Sequence, residues 1–112
     1  MALGGGTGEI SFDHRVASEA AATYRRVAAS LEGAVAALAG DVARLGQWQG
    51  PARRAFDEPF ARTSVDARRL AAELRARARR IEQASSLAAA HNRAVRQALA
   101  QTVVGPQAPM AW

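Results

Sequence analysis

Between Ala17 and Leu45 the apolar residues stand at Ala17, Ala21, Tyr24, Ala28, Leu31, Val35, Leu38, Val42 and Leu45. The steps alternate between four and three over four heptads. A strand would need alternation by two, whereas only an α-helix gathers this spacing on one face. Asp13 stands just ahead, where a carboxylate accepts the free amides of a first turn. The pattern predicts a helix over 13–46, roughly 50 Å long. Val16, Ala20, Val27 and Ala34 widen the stripe on one flank. A stripe that wide can face a helix of its own chain and a second chain as well.

Gly46 follows the last apolar position, as a helix C-terminus prefers, and Pro51 suits the first position of the next helix. Residues 47–50 are too short a link for anything but an antiparallel pair. The second helix is expected over about 51–100, with a kink near Pro59 because proline removes one hydrogen bond and crowds the carbonyl of Ala55. Asp57 or Glu58 could recap the chain beyond it. The second seam runs through Phe60, Thr63, Ala67, Leu70, Leu74, Ala78, Ile81, Ser85, Ala88, Asn92, Val95 and Leu99. Its polar members Thr63, Ser85 and Asn92 weaken it. Residues 1–12, rich in glycine, are expected as a flexible lead, and residues 101–112, with Gly105, Pro106 and Pro109, as a flexible tail.

The fold class that follows is all-α, an antiparallel helix-turn-helix hairpin. Hydrophobic residues make up 49 % of the 112, yet 29 of them are alanines, so two helices alone bury little area. Dimerisation into a four-helix bundle is the expected remedy. Tyr24, Leu31, Val35, Leu38, Val42, Leu45, Phe60, Leu70, Leu74, Ile81, Val95 and Leu99 form the expected hairpin and dimer seam.

Several chemistries find no support. Cysteine is absent, which excludes disulfides and thiolate metal sites. The opening MALGGGTGEI has neither the basic nor the apolar region of a secretory signal, and its glycines lack the Lys-Ser or Lys-Thr of a phosphate loop. No window is apolar over the ~18–20 residues that a bilayer span needs. His14 and His91 have no second ligand at helical spacing, so no metal or other cofactor is expected. No serine has a nucleophile setting, and no enzyme is expected. Charge is the remaining signal: net +5, all cations arginine, with −1 over residues 1–47 and +6 over 48–112. Arg68, Arg75 and Arg79 share one face of the second helix. A solvated face, an acidic partner helix and nucleic acid are the three readings, and the last makes a nucleoid-associated helical protein the alternative function. Nothing in the chain reads a groove or interleaves aromatics for stacking, which makes nucleic acid the weakest of the three.

The link itself reads LGQWQGPARRAF, from Leu45 to Phe56. Trp48 and Gly50, followed by Ala52 and Phe56 at the start of a second helix, resemble the WXG family of small helical-hairpin proteins, like the early secreted antigens of bacterial type VII (ESX) secretion. Ile10 and Asp13 also stand where that family's lead-in has an apolar residue and a capping acid. The resemblance implies export by a route other than Sec, a second WXG-type chain as partner, and the secretion ATPase as receptor. It makes Trp48, Gly50 and Phe56 the expected recognition turn, against the alternative that Trp48 only staples the hairpin end. It also implies a Y-x-x-x-[DE] signal after helix two. The only tyrosine here is Tyr24, in helix one, so that signal is expected from the partner. A heterodimer is favoured over a homodimer, because a +5 chain pairing with itself brings like charges together.

Overall fold

A computed structural model describes residues 8–104 as two α-helices, α1 (His14–Arg44) and α2 (Pro51–Val104), packed side by side in a hairpin of 94 × 24 × 16 Å. The described residues contain no strand. α1 opens on the expected cap: extended Asp13 accepts the amide of Val16 at 3.0 Å through its carboxylate and that of Ala17 at 3.0 Å through its carbonyl. It closes at Arg44, two residues before the expected end. α2 runs unbroken through Pro59 and on to Val104, past the expected end near residue 100. Asp57 and Glu58 do not recap the chain, because the helix never stops. They pair one turn away along it instead, with Arg53 at 2.8 Å and Arg62 at 3.8 Å. The expected tail lies outside the described residues from 105 onward.

Alanine sets the packing distance. Ala28 and Ala71 are fully closed to solvent and meet with Leu74 at the centre of the contact, with Tyr24 and Leu31 packed around them. Among the described residues no large side chain is fully buried. Tyr24, Leu31, Val35, Val42, Phe60, Ile81 and Val95 are half-buried and Leu74 is buried, so the hairpin itself covers these seam positions. The second seam is otherwise corrected by one residue in two places. Ser64 and Ala71 face α1, while the expected Thr63 and Leu70 stand exposed beside them. Small side chains let the helices approach, and the Ser64 hydroxyl is satisfied by donating to the Phe60 carbonyl at 2.8 Å. Replacing Ala71 by Leu forces the helices apart and should cost about 1–3 kcal/mol in urea unfolding. The same change at exposed Ala72 should stay within about 0.5 kcal/mol.

α2 has 54 residues and α1 has 31. His14 lies beside Ser85, with Nδ1 and Oγ 2.6 Å apart, so α1 has already ended where α2 continues past Ala88. The lead covers that stretch, and residues 8–12, part of the expected flexible lead, run along α2 with hydrogen bonds to it. The Asn92 amide accepts the Ile10 N–H at 2.7 Å and donates to the Ile10 carbonyl at 2.9 Å. His91 Nε2 lies 2.8 Å from the Gly8 carbonyl, and Arg96 reaches Glu9 at 3.3 Å. Asn92, which weakens the seam when read as part of a helix pair, is here the clamp for an extended chain. Residues 1–7 lie outside the described part.

Candidate functional site

The turn is built on two glycines in the left-handed region, Gly46 at φ +64° and Gly50 at φ +93°, where a side chain would be strained. Gly46 closes α1, its amide reaching the Ala43 carbonyl at 3.2 Å, and the Gly50 carbonyl accepts the Arg54 amide at 3.1 Å to open α2. Trp48 sits between them, half-buried. Its ring tilts against Phe56 at 5.6 Å, and Phe56 stacks on Phe60 at 5.2 Å. Arg53 lies over the other part of the indole, 5.6 Å from its centroid, donates to the Trp48 carbonyl at 3.2 Å and is held by Asp57. A guanidinium over an indole is attractive by about 0.5–1 kcal/mol at such exposure. The spacing of Arg53 and Asp57 at one helical turn could have suggested this clamp from the sequence, yet only Trp48, Gly50 and Phe56 stood out there. The structure brings all three of those to the same end of the hairpin, with the indole only partly covered.

The two flanks of the hairpin differ. At about 100° per residue, Arg25 and Glu32 lie on one flank of α1, and Val16, Val27, Leu38 and Leu45 on the other. The first flank is tied to α2 by two bidentate pairs: Arg25 on Glu82 at 2.6 and 2.7 Å, and Arg75 on Glu32 at 2.7 Å twice. The second carries Val16, Val27, Leu38, Leu45 and, from α2, Leu70, all 43–58 % exposed. Leu38, Leu45 and Leu70 are seam residues, and Val16 and Val27 residues of the widened stripe, that the hairpin leaves uncovered. Leu99 is exposed as well, because α1 has no residue opposite it.

The basic face is corrected in the same way. Arg75 does not project into solvent beside Arg68 and Arg79; it is committed to Glu32 across the hairpin. Hydrogen bonds from Arg75 hold the Glu32 carboxyl below the usual carboxylate range, helped by the charges of Arg75 and Arg68 and opposed by desolvation. Hydrogen bonds from Arg25 do the same for Glu82. A depressed folded value stabilises the hairpin above the unfolded carboxylate pKa, and that contribution fades as pH falls through the folded value. The thermal midpoint should thus be level above about pH 5 and fall below about pH 4. A Glu32→Gln/Glu82→Gln variant, followed by circular dichroism, should lose part of that acid slope; an unchanged slope would assign it to other groups.

A helical hairpin with a Trp-x-Gly turn agrees with the comparison with family models. The model described as "Proteins of 100 residues with WXG" (WXG100) matches residues 9–98. The chain belongs to the WXG100 family. No curated protein and no solved structure matches it significantly. As a WXG100 protein it is a small helical protein associated with type VII secretion, the route by which the family leaves the cell. The match begins at Glu9, so the clamped lead is part of the WXG100 unit, and it ends at Ala98, within α2. No helix among the described residues is long and apolar enough to cross a membrane.

Proposed function

We propose that the chain is a substrate or co-secreted partner of a bacterial type VII (ESX) secretion system and works as a protein-binding hairpin without catalytic activity. The observation that carries this reading is the contrast between the flanks: ion pairs close one, while Val16, Val27, Leu38, Leu45 and Leu70 stay open along the other. A row of exposed apolar residues on so small a chain is a surface for another chain. A second WXG-type chain packs there to form a four-helix bundle, and charge favours a partner other than a second copy. Trp48, Gly50 and Phe56 are the turn read by the secretion ATPase, and the partner brings a Y-x-x-x-[DE] signal.

The test is export of the tagged chain from its native host with the type VII ATPase intact and with its nucleotide site inactivated. The chain should reach the medium only in the first case, accompanied by a second small helical chain. Equal export from both strains contradicts the proposal.

A further inference from the structure

We infer that the outward side of α2 is a second docking face, built to take an acidic amphipathic helix of another protein. It depends neither on export nor on a WXG-type partner. Between residues 68 and 93 six arginines, Arg68, Arg69, Arg75, Arg79, Arg80 and Arg93, fall within a sector of roughly 140° around α2. The acids of the same stretch, Glu73 and Glu82, fall outside that sector, and Glu82 is already held by Arg25. The row extends for about 38 Å. Arg68, Arg79, Arg80 and Arg93 are exposed, and none makes a hydrogen bond or ion pair among the described residues.

What such a row accepts is visible at its edge. There Arg75 takes the carboxylate of Glu32 from α1, a helix lying alongside, through two hydrogen bonds. The floor between the arginines is Ala72, Ala76 and Ala90, small enough for a helix backbone to come close. Leu87, 71 % exposed, borders a shallow depression with Arg79, Gln83, Ser86 and the Arg25-bound Glu82, and exposed Val65 borders another with Ala61, Arg62 and Asp66, the last paired with Arg69 at 3.8 Å. A helix with carboxylates on its flanks and apolar residues on its face would satisfy the guanidiniums and cover Val65 and Leu87 together. A polyphosphate chain would satisfy only the guanidiniums, and the row has no aromatic on which a base could stack. The row also lies on the side of α2 away from Leu70, so a chain seated on the apolar flank leaves it open.

The probe is a designed amphipathic helical peptide of about four heptads with Leu and Ala on its face and Glu on both flanks. Its twin carries Gln in place of every Glu, and a mixed-sequence DNA duplex serves as the third probe. Titrations use the full chain as purified, with its partner if one is bound. The Glu peptide should bind, weaken as salt rises, and lose roughly tenfold in affinity to an Arg68→Gln/Arg79→Gln/Arg80→Gln variant. An Arg15→Gln/Arg26→Gln/Arg44→Gln variant, equal in charge change but placed on α1, should bind as before, and circular dichroism should show both variants folded. Failure of the Glu peptide to bind, equal binding of the Gln twin, or equal losses in the two variants would overturn the inference. So would a duplex that binds more tightly than the peptide and depends on the same three arginines, because the row would then belong to nucleic acid. Export and pairing on the apolar flank should be unchanged in the α2 variant, which separates this outcome from failure of the proposed function.

Discussion

Trp48→Ala should leave the hairpin folded and stop its export. The indole is half-buried, touches Phe56 and lies under Arg53, so its loss removes two contacts but opens no cavity in a core. The expected cost is about 1–2 kcal/mol, against the roughly 3–5 kcal/mol of a fully packed aromatic. The effect on export should be far larger, down to the background of a strain without the type VII ATPase. Thermal unfolding of the purified complex and the amount of chain in the medium must be read together. Collapse of the complex would make Trp48 the staple of the hairpin end. A stable complex exported at the normal level would remove the turn from the signal altogether. Gly50→Ala gives an independent view of the same end, since it strains a backbone at φ +93° and leaves the indole in place.

The second large effect is expected on the open flank. Val27→Asp/Leu38→Asp sets two carboxylates where a partner chain would bury them unpaired, at several kcal/mol each in an apolar contact. Pairing should weaken by at least roughly 100-fold, with helix content of the isolated chain unchanged because both positions face solvent there. Ala22→Asp/Ala29→Asp adds the same charge at exposed positions away from that flank and should pair normally. If both variants pair equally well, the apolar flank is not the interface. The ion pairs Arg25–Glu82 and Arg75–Glu32 cannot take its place, because their own chain already satisfies them.

The helical hairpin was legible from the spacing of Ala17 through Leu45, from Asp13 as cap and from Gly46 and Pro51 at the turn. Each is a local rule acting within one or two helical turns. The inner edge of α2 was not. Leu70 carries more apolar area than Ala71 and fits the heptad from Leu74 equally well, so composition favours it. The contact selects Ala71 because Ala28 opposite it allows close approach. Arg75 misled for a related reason: a row of arginines on one helix does not show which of them meets a glutamate 43 residues away. The lead was hidden furthest. Its glycines exclude regular structure, but they do not exclude an extended chain hydrogen-bonded to α2 once α2 outruns α1 and Asn92 offers a donor and an acceptor on one side chain. Trp48, Gly50 and Phe56 converge at one end as their spacing implied. The Arg53–Asp57 spacing signals their ion pair, but the place of Arg53 over the indole depends on the turn's conformation.

The most direct test of the account is the mass of the particle that carries this chain in its native host, measured by equilibrium sedimentation at micromolar concentration. An alanine contact with no large side chain fully buried among the described residues, and five exposed apolar residues along one flank, predict a complex of roughly twice the 11.8 kDa of the chain, with a second WXG-type chain in equal amount. A lone 11.8 kDa monomer that melts sharply would contradict it.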